Sequence, residues 1–320
     1  MTAPRPRVAL LGCASWDRLL LLDRHPVPGD QALVLGELSA PGGTTTNSAV
    51  ALARLGAEVR IVTAVGDDAE GRLLRAALEA EGVDCGWIVV RAGERTDLAT
   101  VLVADDPPDR TILWHQGAQV VKGDRLDIAA LFAHDLVVVD LPDIPLTAFL
   151  TDLPAHTEPR ARLLGTLTYL ADAEPRLGLE LALRCDAVVG CQRDLETLTE
   201  TDALGPAVAR LQQGMRTANL RTAVVTRGAA GCLLIDAESV SEHPAYLVEA
   251  VDPTGAGDAF AAGTAFGMAC RWPWPRTVRL ANAVGAISVG ALGAQTALPS
   301  LAQAEAFLAA RDPEVPPAER

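Results

Sequence analysis

The chain reads as an α/β fold, a mostly parallel central sheet with helices on both faces, carrying a small additional β-sheet. Three observations predict it. Short apolar runs of strand length alternate with segments of helical periodicity along most of the 320 residues, the pattern of repeated βα units. Two of the helices are entered through bends of small residues, at Gly42-Gly43 and at Gly255-Ala256-Gly257. Two stretches, 19–38 and 96–115, break the alternation with Pro- or Gly-containing turns and read as pairs of short strands, together a separate small sheet. No internal repeat or low-complexity linker divides the chain, so residues 1–320 are expected to be one domain, with the small sheet formed from about 17–40 and 96–115.

Taken in order, Val8 to Leu11 is a buried-type strand ending at Gly12, and Asp17 follows it in what reads as a loop, with Trp16 beside it. Thr45 to Leu55 is helical and stops at Gly56, a usual C-terminal cap. Glu58 to Val65 is a strand, Glu70 to Glu81 an amphipathic helix, and Trp87 to Val90 a strand leading to the second small-sheet segment, whose turn is Asp105 to Asp109. Strands then fall at Leu136 to Val139, Arg162 to Leu167, Ala187 to Gly190 and Thr222 to Thr226. Helices containing Ala129 to Phe132, Leu146 to Leu153 and Leu177 to Leu183 lie among them. Ala245 to Val251 reads as a short strand, and Ala259, Phe260, Ala262, Phe266 and Ala269 recur at helical spacing behind the second bend. A small-residue helix through Ala281-Asn282-Ala283 reaches about Val289, and the proline-rich tail 312–320 reads as frayed.

Net charge is −14 and the isoelectric point about 4.8, which argues against nucleic-acid and anionic-membrane partners, since both require a basic patch. The six cysteines are scattered, without a Cys-x-x-Cys pair or a histidine cluster, so neither a metal framework nor disulfides are expected. There is no signal-type or membrane-length apolar run, and a cytoplasmic protein is expected.

Asp252-Pro253-Thr254-Gly255-Ala256-Gly257-Asp258 holds the chemistry. Glycines permit a sharp turn and close ligand approach, and the helix start behind them presents N–H groups and a positive dipole end to an anion. Asp258, in that first turn, is either a helix-end partner of the dipole or a general base that takes a proton from a hydroxyl while the turn holds a phosphoryl group. Position alone leaves both open.

Asp-x-Thr-Gly-Ala-Gly-Asp-Ala-Phe resembles the C-terminal signature of the ribokinase-like sugar kinases, the phosphofructokinase B family. Gly42-Gly43-Thr44-Thr45-Thr46-Asn47-Ser48-Ala49, with Leu52-Ala53-Arg54-Leu55-Gly56 and Val65-Gly66-Asp67-Asp68-x-x-Gly71, resembles its N-terminal one. The resemblance spans nearly the whole chain and implies a ribokinase-like fold whose small sheet is a lid over the sugar and a homodimer surface. It implies ATP-dependent transfer of the γ-phosphoryl group to a hydroxymethyl group of a sugar or sugar-like substrate. Asp258 would be the base and Gly255, Ala256 and Gly257 with Asp258 the anion hole. Asp17, Gly42, Gly43 and Asn47 would hold the sugar, and Gly117-Ala118 would close its pocket. Thr226, Gly228 and Gly231, in a Thr-x-Gly-x-x-Gly-like loop, would lie along the nucleotide phosphates, and Asn282 would border the adenine.

The family's Asn-x-x-Glu motif, linked to Mg²⁺, is Cys191-Gln192-Arg193-Asp194 here, leaving Asp194 as the magnesium-side carboxylate. Asp252, Thr254, Ser288 and Gly293 correspond to a monovalent cation (K⁺) site, although Ala297 replaces a serine of ribokinase. Thr44 replaces the lysine of the ribokinase branch, which argues against ribose itself. A nucleoside kinase of the same fold and a non-catalytic nucleotide or sugar sensor are the alternatives. A Rossmann dehydrogenase fails because Phe260 holds the third glycine position of Gly-x-Gly-x-x-Gly.

Overall fold

A computed structural model of the protein describes residues 5–105, 108–156 and 162–311. The elements run β1 (Arg7–Gly12), β2 (Ser15–Leu22), β3 (Val34–Gly42), α1 (Thr44–Arg54), β4 (Glu58–Gly66), α2 (Ala69–Ala80), β5 (Asp84–Arg91), β6 (Asp97–Asp105) and β7 (Pro108–His115). They continue with α3 (Ile128–Phe132), β8 (Leu136–Asp140), α4 (Ile144–Asp152), β9 (Leu163–Thr166), α5 (Thr168–Ala171), α6 (Pro175–Arg184), β10 (Ala187–Cys191), α7 (Gln192–Leu198), α8 (Leu204–Met215) and β11 (Thr222–Thr226). Last come β12 (Cys232–Ile235), β13 (Val240–His243), α9 (Ala256–Ala269), α10 (Trp274–Ser288) and α11 (Leu301–Arg311).

Nine strands form one sheet in the order β13-β12-β11-β10-β9-β8-β1-β4-β5. All neighbours are parallel except the two pairings made by β12. Alternate residues serve two separate cores. Val8, Leu10, Leu136, Val138 and Val224 pack with α1, α2, α9 and α10, whereas Ala9, Leu11, Val137, Val139 and Val225 pack with α4, α6, α7 and α8. A strand buried on both faces is uniformly apolar, which is why Leu-Val-Val-Val and Ala-Val-Val read as continuous runs. The second sheet, β3-β2-β6-β7, has β2 and β6 parallel at its centre and an antiparallel strand on each side.

Two expectations are corrected. Residues 244–250 form no strand, because β13 is already the sheet edge and the segment leaves it as an open arm, with Leu247 83% exposed. Its apolar residues line a cavity, which mimics strand alternation. Asp17 sits within β2, opposite Ala40 and Ala99, and not in a loop. The antiparallel pair β12–β13 was absent from the sequence reading. The expected turn at Asp105–Asp109 lies partly, and the tail 312–320 wholly, outside the described residues.

Asp68 joins the two sheets. As N-cap of α2 it accepts from the Gly71 N–H at 2.8 Å, and it also accepts from the Thr96 N–H (2.7 Å) and hydroxyl (2.6 Å) just before β6. Burial alone would raise its carboxyl, but these bonds outweigh burial and hold it below the ordinary value. The Asp68→Ala variant is expected to lose about 1–2 kcal/mol of unfolding free energy, measured as a lower denaturant midpoint at unchanged slope. Because the folded value is depressed, the deficit is full above the unfolded aspartate range and closes as pH falls through the folded value.

Candidate active site

Two glycine bends feed two helices whose first turns meet. At the first, Gly43 has φ 88°, and a Cβ there would stand 2.8 Å from the Cys13 carbonyl oxygen and the Ser15 nitrogen, so the bend lies flat against the β1–β2 connection. At the second, Gly255 is left-handed (φ 76°), and a Cβ would stand 2.6 Å from that of Ala294. Asp258 is where the helices join. Its Oδ2 accepts from Asn47 Nδ2 at 2.8 Å, and its carbonyl accepts from the Ser48 hydroxyl at 3.1 Å. These bonds span more than 200 residues of sequence and bring together two of the predicted site residues.

Asp17 stands beside the first bend. A Cβ on Gly42 would overlap the Asp17 carboxylate, so glycine at that position leaves the carboxylate its place. Partial burial pushes the Asp17 carboxyl up, and the Ser15 hydroxyl, donating to its Oδ1 at 2.6 Å, opposes the shift. Trp16 packs against the core.

Behind the bends lies a buried polar group that sequence reasoning missed. Asp97, completely buried, accepts from the Gly117 N–H, Gln119 Nε2 and the Cys13 thiol (3.2 Å). Asp140, at the end of β8, accepts from the hydroxyls of Thr45 (3.1 Å) and Thr166. Burial raises both carboxyls. The Gly117-Ala118 pair is held here: a Cβ on Gly117 would stand 2.6 Å from the Asp97 nitrogen. For Asp140 the available signal was an ionisable residue at the C-terminal end of an apolar parallel strand, where open α/β sheets collect ligands.

On the other side of α9 a cavity of about 320 Å³ opens. Thr226, Gly228 and Gly231 line it from the β11–β12 turn, Asn282 and Gly285 from α10, and Ala256 and Gly257 from α9. The arm 245–250 supplies an apolar wall through Tyr246, Leu247 and Val248. The Asn282 amide points at its own protein, donating to the Pro244 carbonyl (3.4 Å) and approaching Cys232 Sγ (3.7 Å). The cavity is therefore mostly apolar with a glycine-rich polar end, the character of a small-molecule site.

The proposed cation residues divide. Asp252, buried, accepts from the Thr254 N–H (2.9 Å) on one oxygen and from the Gly293 N–H (2.8 Å) on the other, tying two loops together. Ser288 ends α10, its hydroxyl donating to the Gly285 carbonyl. The next carbonyl, of Val289, accepts from the N–H groups of Val251 and Asp252. Asp194 caps α7, accepting the Cys191 N–H at 3.0 Å, and Cys191 lies beside Thr226 at the sheet's C-terminal edge. Among the described residues no group of three His, Cys, Asp or Glu side chains could hold a metal, and all six cysteines are free. No described helix is long and apolar enough to cross a membrane.

Comparison with known proteins places nearly the whole chain. Residues 8–301 match the pfkB family carbohydrate kinase. The chain is 30% identical to an ATP-dependent ribose-1-phosphate kinase of Halopiger xanaduensis, over 95% of this chain and 99% of that one. It is 32% identical to an aminoimidazole riboside kinase of Salmonella typhimurium, over 85% and 88%. The structure of Arabidopsis thaliana ribokinase complexed with ribose and ATP superposes with a TM-score of 0.81 at 21% identity, over 95% of this chain and 99% of that one, a likeness of fold.

Proposed function

The chain belongs to the pfkB family of carbohydrate kinases, and on that premise we propose that Asp258 is the general base for phosphoryl transfer from ATP to a hydroxymethyl group of a sugar or nucleoside. One observation carries the reading: the Asn47–Asp258 bond joins the helix behind the Gly42-Gly43 bend to the Gly255–Asp258 turn, whose Ala256 and Gly257 line the cavity. In the transfer Asp258 takes the proton of the acceptor O–H, the acceptor oxygen forms its bond to the γ-phosphorus, and the bond to the β-phosphate oxygen breaks, releasing ADP. N–H groups of the Gly255–Asp258 turn would hold the charge on the phosphoryl oxygens at the positive dipole end of α9. Asp17, Gly42, Gly43 and Asn47 would hold the acceptor, and Thr226, Gly228, Gly231 and Asn282 would border the nucleotide.

Residues 1–320 act in this reading as one domain with the small sheet as lid. Mg²⁺ would neutralise phosphate charge, with Asp194 as the carboxylate on its side and phosphate and water supplying most of its ligands. Asp252, with backbone oxygens of Thr254, Ser288 and Gly293, would hold K⁺ beside the turn. Turnover is expected to fall when K⁺ is replaced by a large organic cation; equal rates would discard that site. The lid bares Leu35 (65% exposed) and Trp114 (55%) on its two outer strands, a surface suited to a second copy of the chain. Light scattering should report a dimer.

The test is a coupled ADP-release screen over pentoses, pentose phosphates, hexoses, keto-deoxy acids and nucleosides. Acceptor-dependent ADP with at least one class is expected. ATP bound without ADP for every class would favour the sensor.

A further inference from the structure

We propose that Gln295 is a positioning residue for the transfer: it fixes the orientation of the Asn47 amide and, through it, the carboxylate of Asp258. The proposal rests on the reading of Asp258 as the base. Gln295 Nε2 lies 3.0 Å from the Pro41 carbonyl oxygen and 2.9 Å from Asn47 Oδ1. A backbone carbonyl can only accept, so the Gln295 atom facing Pro41 must be the amide nitrogen, and its second hydrogen is directed at Asn47. That donor requires the oxygen of Asn47 on its side, which leaves Nδ2 to face Asp258 Oδ2 at 2.8 Å. One backbone oxygen thus fixes two side-chain amides in succession and ends on the carboxylate.

The backbone of Gln295 is itself clamped. Arg54 Nη1 donates to the carbonyls of Gln295 (2.8 Å) and Leu298 (3.2 Å), while its Nε and Nη2 hold Glu81 at 2.9 and 2.7 Å. Pro41 belongs to β3, so the same amide ties the end of the small sheet to the residue that holds the base. With Asn47 turned over, its oxygen would oppose a carboxylate oxygen, acceptor against acceptor, and the ionised base would lose its donor.

Two substitutions of near-equal volume separate positioning from packing. The Gln295→Glu variant presents an acceptor where Asn47 needs a donor, forcing the turned-over amide; Gln295→Met removes the donor without enforcing either orientation. Steady-state kinetics should show kcat falling about 100-fold for Gln295→Glu and about 10-fold for Gln295→Met, in that order, with the KM for ATP within about twofold and the thermal midpoint little changed. Asp258→Asn is measured alongside. If Asp258→Asn is inactive while both Gln295 variants keep wild-type kcat, positioning is overturned and the base reading survives. If Asp258→Asn turns over normally, the base reading falls and the proposal with it. Loss of kcat that follows loss of thermal midpoint and a rise in the KM for ATP would make Gln295 a structural clamp alone and also overturn it. Should Gln295→Glu fail to fold, Gln295→Met decides by the same readouts.

Discussion

The Asp258→Asn variant is expected to lose about 10²- to 10⁴-fold in kcat, the usual span for a lost general base, while ATP still binds. The amide is the same size as the carboxylate and keeps an oxygen to accept from Asn47 Nδ2, so the joint between α1 and α9 survives. What it lacks is a place for the acceptor's proton. The cavity wall of Thr226, Ala245 to Val248 and Asn282 is untouched, so ATP affinity measured by calorimetry should stay within a few-fold of wild type. A parallel collapse of ATP affinity would mean that Asp258 holds the nucleotide site together and does not act on the acceptor.

Asp17→Ala is the second large effect. A carboxylate that accepts from substrate hydroxyls contributes more per bond than a neutral acceptor, and losing two such bonds corresponds to about 10²- to 10³-fold in kcat/KM for the acceptor. On the proposed reading the KM for ATP should be unchanged, because Asp17 lies on the Gly42 side of the joint and does not line the cavity beside α9. The pH dependence carries a sign. Burial raises the Asp17 carboxyl, and the ionised form is the one that accepts, so the KM for the acceptor should start to climb, as pH falls, above the usual aspartate range. A KM flat through that range would remove Asp17 from the acceptor site.

Much of the fold was legible because strands buried on both faces leave no polar gaps. Leu136 to Val139, Ala187 to Val189 and Thr222 to Val225 could hardly be anything but central strands. The small sheet was legible from Pro and Gly interruptions. The arm at 245–250 reads as a strand in the sequence because apolar residues facing a cavity imitate those facing a neighbouring strand. β13, Val-Ser-Glu-His, was missed because an exposed edge strand needs no apolar pattern.

Within the site, Asp258 and Asn47 stood out through the family motifs around them. Asp97 and Gln295 did not, since nothing local marks them, and Asp140 is marked only by its place at the end of an apolar strand: each takes its importance from partners distant in sequence, such as Cys13, Pro41 and Thr45. Asp194 was legible only as a carboxylate. Its bond to the Cys191 N–H gives it a structural duty at the α7 end besides any part in holding a cation.

A structure of the protein with an acceptor and a non-hydrolysable ATP analogue bound together would probe the shared site most directly. The account predicts the triphosphate against the Gly255–Asp258 turn and the acceptor's hydroxymethyl oxygen about 2.6–3.2 Å from the Asp258 carboxylate, facing the γ-phosphorus. Nucleotide and acceptor bound in separate cavities, with Asp258 touching neither, would contradict it.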